Sequence, residues 1–158
     1  MAIRKILTVE EAALHKVCKP VVAFDSRLHH LLDDMRETLI ESGGVGLAAP
    51  QVGILRRVVL VDTGEEILEL INPTLLETDG EQEGAEGCLS VPGKYGLVKR
   101  PYYAKVRAQD REGNWYEAEG EELIARCFCH ELDHLDGTIY TEVMERYLTE
   151  DELTFDGE

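Results

Sequence analysis

The residues best suited to chemistry are His130-Glu131-Leu132-Asp133-His134. On a helix, side chains four apart lie on one face, with Cβ atoms about 5–6 Å apart. Two imidazoles at that spacing can point at one metal ion. Glu131 sits one position along, where its carboxylate can reach a water at the metal without being a ligand. Leu123 and Cys127 share the helical face of His130 and His134. The competing reading is a polar helix surface with two unpaired histidines. A catalytic metal typically takes three protein ligands and keeps one position open. Downstream of His134 the chain offers Asp136, Glu142 and Glu145 but no further histidine, so a third ligand must come from elsewhere.

Glu86-Gly87-Cys88-Leu89-Ser90 is a candidate. Gly87 lets the backbone bend without a side chain in the way, and a thiolate is a soft ligand suited to Fe(II) or zinc. A lone cysteine can equally be a small packed residue. A third segment, Gly44-Val45-Gly46-Leu47-Ala48-Ala49-Pro50-Gln51, has small residues that allow close approach and ends in an amide donor. It lacks the Lys-Ser/Thr of a phosphate loop. It also follows a helix rather than a strand, unlike a dinucleotide-binding turn.

Together and in this order, G-V-G-L-A-A-P-Q, E-G-C-L-S and H-E-L-D-H resemble the three motifs of peptide deformylases, G-x-G-x-A-A-x-Q, E-G-C-x-S and H-E-x-D-H. The likeness runs from about residue 3 to about residue 145. It implies that Cys88, His130 and His134 bind one divalent metal, typically Fe(II) in cells, with zinc, nickel or cobalt accepted. It implies that Glu131 moves the water's proton to the leaving amine. The Gln51 amide and the Leu89 backbone N–H would hold the formyl oxygen. Gly46 and its neighbours would pair with the substrate like an added strand, with Val45 packed nearby. Leu123, Cys127 and His130 would help form the methionine pocket. The substrate implied is the N-formylmethionyl end of a nascent chain, and the products are formate and a free amino terminus.

Glu86 and Arg100 would then be a supporting ion pair, although an unrelated solvated pair reads equally well. Asp133 either supports the site through a hydrogen bond or faces water. Many members of the family carry Gln before the first motif histidine, where this chain has Cys129. Positions 127 and 129 are roughly 200° apart on a helix, so Cys129 should not compete with Cys88. A zinc endopeptidase is the alternative enzyme, disfavoured by a Cys ligand and a small-residue loop ending in Gln. A closed structural site would want a fourth protein ligand.

Composition narrows the setting. The chain has 158 residues, 44% hydrophobic and 30% charged, which suits one domain, 1–158, with a single core. Its net charge of −16 is the reverse of what a nonspecific nucleic-acid binder needs. Neither DNA nor a membrane is an expected partner, and no apolar run approaches the roughly 18 residues of a membrane span. Acidic residues arrive at position 10, too early for a signal peptide, so a cytoplasmic monomer with reduced cysteines is expected. The acidic tail 149–158 is expected to be partly loose, and phosphate should repel it, which argues against ribosome docking through that tail.

The elements that must position these residues follow from periodicity. Residues 26–42 repeat leucines at three- and four-residue spacing, with Asp25 or Ser26 as cap and Gly43-Gly44 as stop. Strands are expected at 57–62, at 67–71 ending at Asn72-Pro73, and at 102–109 paired with 115–119 across a turn at 110–114. A second helix is expected over 121–135, ended by Asp136-Gly137. The class is α+β: antiparallel or mixed sheets around a central helix carrying the His-Glu-His motif.

Overall fold

The computed structural model describes residues 2–156. Helix α1 spans Ser26–Ser42. The Asp25 side chain accepts the Leu28 N–H at 3.2 Å, supplying the expected N-cap. Gly43 ends the helix in the left-handed region at φ 71°, where a side chain would be strained. The chain then enters β1 (Gly46–Ala48), a 3-10 turn at Ala49–Val52 and β2 (Val58–Asp62).

β2 explains the layering. Residues 58–61 are all fully buried, yet they alternate between two cores. Val58 and Leu60 pack with Leu32, Met35 and Leu39 of α1. Val59 and Val61 pack with Ala125, Phe128 and Leu135 of the second helix. Successive strand residues face opposite sides, so an unbroken apolar run marks a strand covered by a helix on each face. Each such side chain contributes about 1.5–3 kcal/mol by leaving water.

β3 is Ile67–Asp79. It does not stop at Asn72-Pro73. Asn72 takes φ 52°, the register with its neighbour slips between Ile71 and Thr74, and the strand continues. Asn72 stabilises that irregularity with its side chain. Its Oδ1 accepts the Val21 N–H at 2.8 Å, and its Nδ2 donates to the Val21 carbonyl at 2.9 Å. The breaker marks a bulge rather than a terminus.

β4 (Gln82–Cys88) and β5 (Val91–Arg100) form a hairpin. β6 (Tyr103–Gln109) and β7 (Trp115–Glu121) form another, through the expected turn. Helix α2 is Leu123–Leu135, two residues shorter at its start than expected because Glu121 still belongs to β7. β8 (Arg146–Tyr147) and α3 (Glu150–Asp156) close the described chain. The acidic tail is therefore helical over much of its length, with Arg146 gripping Glu152 at 2.7 and 2.9 Å. Gly157 and Glu158 lie outside the described residues.

Two antiparallel sheets result, ordered β1-β2-β3-β6-β7 and β4-β5-β8. α2 lies against the first sheet and reaches the second through Arg126 near its start and His130 and Asp133 further along. The class is the expected α+β arrangement. None of the helices among the described residues is long and apolar enough to cross a membrane.

Candidate metal centre

Three elements meet at the site. α2 presents His130, Glu131 and His134, the last residue of β4 presents Cys88, and the turn after β1 presents Gln51. The ligand atoms of Cys88, His130 and His134 all lie within 4.8 Å of one another. Cys88 Sγ is 3.3 Å from His134 Nε2. Metal bonds of about 2.0–2.3 Å place donors at such separations. Cys129 is not in the group, as the helical phase requires.

One buried carboxylate, Glu86, orients His130. Glu86 Oε2 accepts from His130 Nδ1 at 2.6 Å and from Arg100 Nη2 at 2.6 Å. Glu86 Oε1 accepts from Arg100 Nε at 3.0 Å and from Arg126 Nη1 at 2.9 Å. Arg100 also donates to Asp133 Oδ2 at 2.8 Å. Fixing the proton on His130 Nδ1 leaves Nε2 free as a metal donor. Burial alone would raise the Glu86 carboxyl, but hydrogen bonds from His130 and Arg100 outweigh it and bring it down to about 2. The sequence suggested the Glu86–Arg100 pair and a supporting Asp133, each as one of two readings. It gave no hint of Arg126, although Arg126 lies four residues before His130, on the same helical face.

Glu131 is the second buried carboxylate, 4% exposed, and its Oε1 has no hydrogen-bond partner among the described residues. Burial pushes its carboxyl up to about 7, against the attraction of His130. At His130 burial acts the other way and opposes protonation. Glu131 and Cys88 nevertheless drive its basicity well above the usual range, whereas burial and then His130 hold that of His134 well below it. The donor set, a thiolate and two imidazoles beside an unpartnered carboxylate, fits a bound divalent cation.

Gly46 makes this approach possible. A Cβ there would fall 2.6 Å from both Glu131 Oε2 and Cys127 Sγ. The small-residue segment is needed to admit Glu131 itself. Gln51 is 1% exposed and held at both ends of its amide: Oε1 accepts the Ala48 N–H at 2.9 Å, and Nε2 donates to Ser90 Oγ at 3.1 Å. Its Nε2 also lies 3.6 Å from Cys88 Sγ, so the amide N–H groups face the thiol side of the site. Ser90, quoted in its motif without a role, is the residue that aims Gln51.

A cleft of about 500 Å³ opens over these groups. Val45, Gly46, Gln51, Cys88 and Leu89 line one part of it, and Leu123, Cys127, His130 and Glu131 another. Every candidate site residue thus borders the cleft except His134, which is fully buried beneath it. Leu123 is at the rim, exposed, while Cys127 is buried and its thiol is raised far above the usual range by burial.

Fold and site together define a metal-dependent hydrolase with a Cys-His-His centre on a mixed α+β scaffold. Comparison with known proteins narrows this. The family model described as polypeptide deformylase matches residues 3–149. A peptide deformylase of Agathobacter rectalis is 56% identical over 145 residues, covering 92% of each chain. One of Caldanaerobacter subterraneus is 52% identical over 153 residues, covering 97% of this chain and 96% of that one. The crystal structure of a peptide deformylase from Legionella pneumophila superposes with a TM-score of 0.88 at 40% identity, covering 98% of this chain and 90% of that one. The chain belongs to the peptide deformylase family, whose reaction removes the formyl group from the N-terminal formylmethionine of nascent chains.

Proposed function

We propose that this deformylation runs on Fe(II) held by Cys88, His130 and His134, with Glu131 as proton carrier and Gln51 and Leu89 as oxyanion donors. The observation that carries the reading is the convergence of those three ligands within 4.8 Å beside the unpartnered Glu131 Oε1. When bound, a divalent ion there supplies Lewis acidity, polarising the formyl carbonyl and acidifying water. Glu131, a buried carboxylate with one oxygen unpartnered, takes the proton of the attacking water and delivers it to the leaving amine. The Gln51 Nε2 group and the Leu89 N–H receive the charge that grows on the formyl oxygen. Gln51 needs little reorganisation, because Ala48 and Ser90 already fix its amide.

The methionine side chain lies against Leu123, Cys127 and His130, and the peptide backbone runs along Val45 and Gly46 as an added strand. The protein acts in the cytoplasm as a monomer and meets nascent chains by diffusion or through a surface other than its tail. Its acidic tail carries Glu150, Asp151 and Glu152 and offers phosphate nothing to hold.

Formate release from a formyl-Met peptide, measured beside cleavage of the same peptide without the formyl group, tests the reaction. Formate release alone supports it, and cleavage of the unformylated peptide supports the endopeptidase alternative. Metal analysis of the protein purified without air tests the iron assignment. Ribosome co-sedimentation that disappears on deleting residues 149–158 would contradict the account of the tail.

A further inference from the structure

A second cleft, of about 540 Å³, lies at the opposite end of α1 from the metal centre and shares none of its lining. Its volume is in the range that holds small ligands. Lys19, Arg27 and Arg56 stand on its walls, all exposed, and among the described residues none of the three is in an ion pair. A fourth cation, Arg4, is already bound to Asp34 at 2.8 Å. The one acidic residue in the lining is Asp25, whose side chain caps α1. In a chain of net charge −16, a concave surface with this balance is an exception.

The base of the cleft is apolar. Val21, Leu28 and Leu31 are buried there, and Ile54 adds to it. The walls are held in place before any ligand arrives. Lys19 and Arg56 lie on neighbouring stretches of backbone joined by Lys19 N to Leu55 O at 3.1 Å and Arg57 N to Lys19 O at 3.0 Å. Val21 is pinned on both its backbone groups by Asn72. The backbone then needs little ordering on binding, and the cost that remains is fixing the three exposed cationic side chains.

We propose that this cleft binds a small anionic amphiphile, its apolar chain on Val21, Leu28, Leu31 and Ile54 and its carboxylate or phosphate head between Arg27, Arg56 and Lys19. Guanidinium groups match the planar oxygens of either head. A bare inorganic anion would leave the apolar base uncovered, while the protein's overall charge repels it. An uncharged chain would leave three cations unmatched. The site is independent of the metal centre, so the proposal and the catalytic reading can fail separately.

Calorimetric titration of the full-length, metal-loaded protein with decanoate, decyl phosphate, decanol and inorganic phosphate tests this. Decanoate or decyl phosphate should bind once per chain, and whichever binds more tightly identifies the head group. Decanol and inorganic phosphate should each bind about tenfold or more weakly. Replacing both exposed arginines, Arg27→Ser with Arg56→Ser, should weaken the amphiphile about tenfold while leaving circular dichroism and formate release unchanged. Val22→Glu, at an 89% exposed position on the mouth, should weaken it too without a cost to folding. Absence of saturable binding by either anion overturns the proposal, as does equal binding of decanol. Undiminished binding to the double variant, with competition against a formyl-Met peptide, would place the amphiphile at the metal centre and overturn it as well.

Discussion

The molecule contains two glutamates that each gather two arginines, and they differ in what lies beyond. Glu86 is 3% exposed in its side chain and binds Arg100 and Arg126; a third donor is His130, which faces the metal position. Glu69 is 13% exposed and binds Arg111 at 2.6 Å and Arg36 at 3.3 Å, with Asp33 beyond them. Its arginines are 30% and 41% exposed, and the cluster ties α1 to β3 and the β6–β7 turn. The same residue types therefore aim a ligand in one place and fasten a helix to a sheet in the other. Burial and the histidine make the difference. A buried carboxylate stripped of partners is costly, so the Glu86 cluster holds one geometry, whereas solvent tolerates rearrangement around Glu69.

The sharpest break in this comparison is Glu86→Gln. Removing that charge leaves the buried Arg126 without its anion and Arg100 with Asp133 alone, which costs about 3–5 kcal/mol of stability. It also frees the His130 ring, so metal affinity should fall about 10–100-fold. Chemical denaturation and metal titration measure the two effects. Stability loss without metal loss would show that Glu86 does not position His130. Arg126→Met should be milder, because Arg100 still holds Glu86, and it should lower metal affinity less than Glu86→Gln does.

Glu69→Gln should cost less than Glu86→Gln, because its arginines remain 30% and 41% exposed to solvent, with metal content and formate release unchanged. A fall in activity there would erase the distinction between the clusters. The pH dependence sharpens it further. Burial tends to raise the Glu69 carboxyl, but Arg111 and Arg36 together hold it below its ordinary value near 4.5. A group depressed on folding contributes stability above its unfolded pKa and loses it as pH falls through the folded value. The stability gap between Glu69→Gln and the parent should therefore be full at neutral pH and shrink below about pH 4.5. A gap that stays constant to lower pH would contradict the ion-pair account.

The same contrast shows what was legible in the sequence. His130, Glu131 and His134 could be read because helical spacing fixes which side chains share a face. Cys88 could be read because the His pair demanded a third ligand and one motif offered it. Helix α1 was legible from its leucine spacing and its Asp25 and Gly43 ends. Asn72-Pro73 misled, because a local breaker in a long strand becomes a bulge when side-chain hydrogen bonds hold the chain in place. The hairpin β4–β5 was not legible. Gln82–Cys88 holds two glycines and little β-branched sequence, so its pairing depends on β5 and on the buried Glu86 rather than on propensity. Arg126 and Ser90 escaped for a related reason. Each acts on another side chain, and that partner is set by tertiary packing.

The most direct test of the account is Glu131→Gln, assayed for bound metal and for formate release in the same preparation. Glu131 is assigned as the proton carrier and not as a ligand. The variant should keep one metal per chain on Cys88, His130 and His134 while formate release falls about 10²–10⁴-fold. Loss of the metal, or retention of full activity with the metal in place, would contradict it.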